Sequence, residues 1–178
     1  MEKDIREIRD AIRDIPNFPK PGIVFKDITP LLANGRLFKR TIDLFAERYR
    51  SQSVDVVLGI ESRGFIIGAA LAYALGIGFS IVRKPGKLPY KTHSATYELE
   101  YGTDTLEVHR DAIAAGARVL IVDDLIATGG TAAATAALAA KLGAEVVEGA
   151  FVIELAFLKG REKFKPDKIF SLLQYDVE

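Results

Sequence analysis

The sequence predicts a single α/β domain with a central, mostly parallel sheet flanked by helices. Segments that are apolar on both faces alternate with helical segments, and this order is typical of a parallel sheet covered on both sides. The chain has 178 residues, of which 49% are hydrophobic and 27% are charged. That length and composition suffice for one domain with a substantial core and leave little room for two. We therefore expect residues 1–178 to form one domain.

The N-terminal part is expected to begin with an amphipathic helix that ends at Pro16. Four isoleucines recur there at helical spacing, namely Ile5, Ile8, Ile12 and Ile15. Prolines and Gly22 then indicate an irregular segment. A second helical pattern covers Leu37 to Tyr49.

The rest of the chain alternates strands and helices. Five apolar segments predict strands, namely 54–60, 79–82, 118–122, 146–153 and 169–173. Between them, 64–75 predicts a buried helix that ends at Gly76, and 131–142 predicts an alanine-rich helix closed by Gly143. The 19 residues from 64 to 82 carry no charge, so a membrane span is the alternative. Because glycines interrupt the run, we favour a helix and a strand.

The longest stretch without a clear element, 84–104, is expected to be a mobile active-site loop. Its charges are segregated. The bases come first, at Arg83, Lys84, Lys87 and Lys91 with His93, and the acids follow at Glu98, Glu100, Asp104 and Glu107. This separation indicates two different tasks within one loop.

The overall charge and the absence of cysteine exclude several classes of protein. Lys and Arg together number 24, as do Asp and Glu, whereas a general nucleic-acid binder would carry a basic excess. No cysteine is present, which excludes disulfides, thiolate zinc sites and cysteine nucleophiles. We expect a cytoplasmic protein with no nucleic-acid or membrane partner.

The segment LIVDDLIATGGT, residues 120–131, predicts a site for a phosphorylated sugar. An apolar strand runs into Asp123 and Asp124, whose carboxylates can accept hydrogen bonds from vicinal hydroxyls. The glycine-rich turn that follows opens a helix and gathers unpaired N–H groups that suit a phosphate. The alternative is an exposed loop start with a helix cap. The P-loop and dinucleotide-binding patterns do not fit.

This segment resembles the signature of the type I phosphoribosyltransferases, which use phosphoribosyl diphosphate (PRPP). Five further motifs resemble the adenine-specific members, in the same order: FPKPGIVFKDITPLL (18–32), GIESRGF (59–65), RKPGKLP (83–89), YELEYG (97–102) and ELAFLKGREK (154–163). The resemblance implies the type I fold with a small N-terminal hood, residues 1–35, over the base site. It also implies transfer of the 5-phosphoribosyl group of PRPP to N9 of adenine, giving AMP and diphosphate.

The resemblance assigns roles to individual residues. For PRPP, the acids Asp123 and Asp124 would bind the ribose, and the 5-phosphate would lie on Ala127, Thr128, Gly129, Gly130 and Thr131. The diphosphate would lie near Glu61, Ser62, Arg63, Arg83, Lys84 and Lys87, with Tyr101 as a further PRPP contact. Adenine would contact Val24, Phe25, Lys26 and Leu155. Glu100, which composition alone does not distinguish from Glu98, and Arg63 would be catalytic.

Three of these assignments have a plain structural alternative. The turn at 61–64 could be a helix cap with a surface arginine, the basic cluster a solvated face, and Phe25 a core residue. The resemblance further implies Mg²⁺ held mainly by PRPP and water, with no protein ligand firmly assigned, and a homodimer. Two other functions stay open, namely a phosphoribosyltransferase for a 6-oxopurine and a non-catalytic PRPP sensor that regulates nucleotide genes.

Overall fold

The computed structural model describes residues 2–98, 102–164 and 168–177. In chain order the elements are α1 (Glu2–Asp10), β1 (Arg13–Pro16), β2 (Val24–Asp27), α2 (Thr29–Ala33), α3 (Gly35–Tyr49), β3 (Val56–Ile60), α4 (Gly64–Leu75), β4 (Gly78–Val82), β5 (Thr92–Glu98), β6 (Thr103–His109), β7 (Arg118–Ile126), α5 (Gly130–Lys141), β8 (Glu145–Leu155) and β9 (Ile169–Tyr175). Two short 3₁₀ turns, Ala156–Leu158 and Gly160–Lys163, join β8 to β9.

The central sheet has the strand order β4-β3-β7-β8-β9, and every neighbouring pair is parallel. Side chains alternate across it, so that Leu120 and Val122 of β7 pack in one core cluster while Ile121 packs in the other. The helices α1, α3 and α4 contribute to the first cluster, and α5 contributes to the second. The predicted fold class is confirmed.

The first helix ends earlier than the isoleucine spacing predicts. α1 stops at Asp10, and the predicted helical segment up to Pro16 instead contains β1, which pairs antiparallel with β2. Two ion pairs fix this small separate sheet, Arg13 with Asp27 at 2.6 Å and Asp14 with Lys26 at 2.8 Å. The prediction of a helix through residue 15 was wrong because the strand is stabilised by a partner that follows a turn.

The stretch from 84 to 104 also differs from the expectation of an irregular loop. β5 and β6 form an antiparallel hairpin in which Thr92 pairs with His109 and Glu98 pairs with Thr103. Its strands carry many polar side chains, and Leu106 and Val108 are the fully buried apolar positions of β6. That weak alternation hid the hairpin from the sequence pattern. The mobility of the segment stays a prediction.

The uncharged run from 64 to 82 is divided between α4 and β4, as predicted. Gly76 ends the helix with a φ of 68°, in the left-handed region that favours glycine. Among the described residues, no helix is both long and apolar enough to cross a membrane.

Candidate active site

Four segments that the sequence separates meet at the carboxyl edge of the sheet. Because the strands are parallel, the residues that follow β3, β4, β7 and β8 emerge on the same side. The turn at 61–63 follows β3, Arg83 follows β4, and the loop at 127–131 follows β7. Leu155 is the last residue of β8. The topology therefore assembles the predicted site from motifs up to about a hundred residues apart.

The acid pair lies within β7, not after it. The sequence predicted that this strand ends at Val122, whereas its pairing with β8 continues from Asp123 to Ile126. Asp124 is buried and accepts a hydrogen bond from Arg63. Burial, and then the neighbouring charge of Asp124, raises the pKa of Asp123 well above its usual value.

Gly64 lets the start of α4 approach this acid pair. A Cβ at that position would lie 2.8 Å from both Asp123 Oδ1 and the carbonyl oxygen of Val122. Only glycine therefore fits without displacing the backbone. The contact brings the 61–63 turn, and with it Arg63, against the carboxylates of β7.

Glu61 gathers the basic side chains that were predicted to bind diphosphate. Its carboxylate accepts hydrogen bonds from Arg83 at 3.2 and 3.3 Å, from the backbone N–H of Lys84 at 2.9 Å, and from Lys87. Burial raises the pKa of Glu61, but the bonds from Lys87, Lys84 and Arg83 outweigh it and lower the pKa to about 2. A carboxylate repels phosphate, so Glu61 would serve an anion site by holding these cations in place. The peptide bond between Glu61 and Ser62 is cis.

The 127–131 loop has no charged side chain and offers backbone N–H groups and hydroxyls. Gly129 precedes α5 with a φ of 79°, and Gly130 begins the helix. The loop lines a cavity of about 160 Å³ together with Asp123. This geometry, in which N–H groups gather at the positive end of a helix, suits a phosphate.

A second cavity, of about 230 Å³, connects the predicted groups. It is lined by Glu61, Ser62, Arg63, Lys84, Tyr97, Leu106, Asp123, Asp124 and Thr131. Tyr97 and Leu106 were not among the predicted site residues. The hydroxyl of Tyr97 donates to Asp104 at 3.2 Å and accepts from Thr131 at 3.2 Å, and Asp104 also binds Lys84. The hairpin thus contributes a hydrogen-bonded wall, and the only available signal was the position of Tyr97 in the YELEYG motif.

On the side predicted for the base, Phe25 lies beside Arg63. The guanidinium carbon is 5.4 Å from the centroid of its ring, and Phe18 meets the same ring edge-on at 5.3 Å. Lys26 is buried, and its ammonium is 2.8 Å from Asp14 and 4.4 Å from the centroid of the Tyr175 ring. Since that side chain is engaged by the protein, a ligand at this position would meet the main chain.

The remaining predicted residues divide into two groups. Val24 and Leu155 are half-buried, on β2 and at the end of β8. Glu100 and Tyr101 lie outside the described residues, so their assigned roles stay predictions.

The family model for the phosphoribosyl transferase domain matches residues 27–177, and the chain belongs to this family of phosphoribosyltransferases. Within the family it is similar to adenine phosphoribosyltransferases over nearly its whole length. The protein of that name from Syntrophotalea carbinolica is 61% identical over 171 residues, which cover 96% of this chain and 100% of that protein. The one from Geotalea uraniireducens is 59% identical over 169 residues, or 95% and 99% of the two chains.

Solved structures show the same similarity. The crystal structure of adenine phosphoribosyltransferase from Thermoanaerobacter pseudethanolicus has a TM-score of 0.94 and 51% identity, and covers 96% of this chain and 99% of that one. The Saccharomyces cerevisiae enzyme, solved with an imino-altritol bisphosphate and adenine, has a TM-score of 0.93 and 47% identity, with coverage of 97% and 100%.

Proposed function

We propose that the protein transfers the 5-phosphoribosyl group of PRPP to N9 of adenine, forming AMP and diphosphate. The observation that carries the proposal is the placement of three groups around one sheet edge. The half-buried Asp123 and the buried Asp124 lie between the basic side chains around the 61–63 turn and the uncharged 127–131 loop. This arrangement matches a sugar with an anionic group at each end.

Adenine as the base is supported by the relatives and by the contacts of the N-terminal sheet. The yeast enzyme was solved with adenine, and the curated relatives carry adenine in their names. Phe25 offers an aromatic face beside Arg63, and the engaged side chain of Lys26 leaves main-chain groups to recognise an edge of the base. Leu155 would cover the opposite face of the purine.

Each part of the site has a task in this reaction. N9 attacks the anomeric carbon while the bond to diphosphate breaks, and the sugar develops positive charge in the transition state. Arg63, Lys84 and Lys87 would hold the negative charge that leaves, and the acids of β7 would orient the ribose. The 127–131 loop would anchor the 5-phosphate. Glu100 would face the purine nitrogen that exchanges a proton.

Magnesium belongs to this proposal as the partner of PRPP. Among the described residues, no cluster of three or more His, Asp or Glu side chains could hold a metal ion. Two adjacent carboxylates fit a cation whose other ligands are phosphate oxygens, hydroxyls and water. When bound, Mg²⁺ would offset charge on the leaving diphosphate, and Asp123 and Asp124 are the carboxylates of β7 that could contribute to holding it.

The direct test is spectrophotometric detection of AMP from adenine and PRPP, with and without Mg²⁺. We expect AMP only when both substrates are present, and little without the metal. Competition with hypoxanthine, guanine and xanthine tests which base is the substrate. Preferred use of any of them would mean that the substrate is a 6-oxopurine and not adenine. PRPP binding without product for any base would favour the sensor.

We also propose a homodimer, which the resemblance implies. The exposed apolar side chains Ile66 and Tyr73 lie seven residues apart on α4, and therefore on one face of the helix, and Tyr73 is 90% exposed. A second copy is the occupant that we propose for this face. Light scattering should give twice the chain mass, and Tyr73→Glu should shift the protein toward the monomer. The cytoplasmic location stays a prediction.

A further inference from the structure

Glu154 is a buried carboxylate at the end of β8 with no task in the proposed reaction. It is 4% exposed and accepts four hydrogen bonds. Arg161 donates two, at 2.5 and 2.7 Å, and Ser171 and Gln174 of β9 donate the others at 2.6 and 3.1 Å. A carboxylate so fully satisfied fixes every element that donates to it.

Arg161 connects this carboxylate to the segment that follows β8. Arg161 lies on the second 3₁₀ turn. Its guanidinium donates to Glu154 with two nitrogens and to the carbonyl of Ile169 with the third, at 2.9 Å. One side chain thus ties residues 156–163, which we name the cover segment, to both β8 and β9. Because the fork is planar and bidentate, it sets the orientation of the segment as well as its distance.

Gly160, the residue before Arg161, lies in close contact with the backbone of the predicted phosphate loop. A Cβ at Gly160 would lie 3.0 Å from the backbone nitrogen of Gly129 and closer still to the carbonyl oxygen of Ala127. In the reverse direction, a Cβ at Gly129 would lie 2.9 Å from the carbonyl carbon of Gly160. The φ of Gly160 is not in the left-handed region, so close contact alone requires glycine there.

We propose that Glu154, Arg161 and Gly160 are positioning residues for the 5-phosphate. The ion pair holds the cover segment, and Gly160 transmits that position to the backbone of the 127–131 loop. Leu155, the residue predicted to cover the base, is adjacent to Glu154 in β8. The same ion pair would therefore also help to position the residue over the base. This inference rests on the phosphate-binding role of the loop in the proposed function.

The experiment measures ribose 5-phosphate binding by calorimetry alongside the KM values for PRPP and adenine. Gly160→Ala should weaken ribose 5-phosphate binding and raise the KM for PRPP about tenfold, with the KM for adenine changed less than about twofold. Gly35→Ala is the matched control, because a Cβ at that glycine meets no atom within 4 Å and its φ is ordinary. It should leave all three values unchanged.

Arg161 supplies a second pair of variants in case Gly160→Ala folds poorly. Arg161→Met should weaken ribose 5-phosphate binding more than Arg161→Lys, which keeps the charge but loses the bidentate fork. Unfolding midpoints measured on the same samples show that each variant is folded at the assay temperature. Folded Gly160→Ala or Arg161→Met with wild-type binding of ribose 5-phosphate would overturn the inference.

The two proposals fail in different ways. A wild-type protein that forms AMP, with a Gly160→Ala variant of unchanged PRPP KM, would remove the positioning role and keep the enzyme. A wild-type protein that binds ribose 5-phosphate but forms no AMP would remove the reaction, and weaker sugar-phosphate binding in the variants would still support the positioning role.

Discussion

The turn after β3 and the loop after β7 lie at the same sheet edge but offer different groups to an anion. The turn at 61–63 works with long basic side chains, and each of them is paired with a carboxylate: Arg63 with Asp124, Arg83 and Lys87 with Glu61, and Lys84 with Asp104. The loop at 127–131 has no charged side chain and would offer backbone N–H groups, which close glycine contacts hold in place.

This difference fits the two ends of the proposed substrate. The 5-phosphate keeps its charge through the reaction, and a rigid backbone site serves it without moving. The diphosphate leaves with additional charge, so cations that exchange a carboxylate partner for a phosphate suit it better. We therefore expect changes at the turn to alter turnover and the dependence of the rate on salt. Changes at the loop should mainly alter the affinity for PRPP.

The largest effect is expected from Arg63. Arg63→Met should lower kcat/KM for PRPP by about 10²–10³, because it removes a cation from the leaving group and leaves buried Asp124 without its partner. Steady-state kinetics measure the loss, and Arg63→Lys should fall between the two because it keeps the charge alone. A stable Arg63→Met variant with kinetics close to wild type would show that the turn does not handle the leaving group.

The carboxylate of Glu61 should make the stability of the protein sensitive to acid. Its pKa is lowered from 4.5 to about 2, so its contribution to stability is complete above pH 4.5 and is lost as the pH falls toward 2. Because Lys87 is 47% exposed and solvent screens the pair, we expect a contribution on the order of 1–2 kcal/mol.

Urea unfolding at pH 7 and at about pH 3 tests this sensitivity. Wild type should lose more free energy of unfolding between the two pH values than Glu61→Gln does, since the amide cannot titrate. Equal losses in the two proteins would mean that the Glu61 contacts do not contribute to stability.

Lys87 tests the salt dependence that we expect of the basic side chains around the 61–63 turn. Lys87→Ala should lower kcat/KM for PRPP about threefold at low ionic strength, and the difference should shrink as salt screens the exposed ammonium. Lys39→Ala, which removes a 75% exposed lysine paired with Asp43 on α3, is the control and should change nothing. A salt-independent effect of Lys87 would indicate a packing role instead of a charge role.

Much of the fold and the main parts of the site could be predicted from sequence, for local reasons. The apolar strands, the glycine after α4 and the two contiguous motifs at 61–64 and 123–131 carry their signal within a few residues. Arg13–Pro16 could not be predicted as a strand because its partner lies about a dozen residues further on and its own spacing fits a helix. The position of Tyr97 at the site depends on the hairpin register, which sets it opposite Asp104 and which the sequence pattern did not reveal.

Effects of similar or smaller size should arise where the hairpin meets the phosphate loop. The Thr131 hydroxyl donates to the Tyr97 hydroxyl at 3.2 Å and lies in a loop predicted to hold phosphate, so Thr131→Val removes a donor from both. Tyr97→Phe keeps the Thr131 hydroxyl in the loop and removes the Tyr97 hydroxyl, with its hydrogen bonds to Thr131 and Asp104. We expect the KM for PRPP to rise about threefold in Thr131→Val and less than about twofold in Tyr97→Phe, in line with one neutral hydrogen bond. The reverse order would show that the hairpin, more than the loop, holds the substrate, and would require the backbone site to depend on a side chain from another sheet.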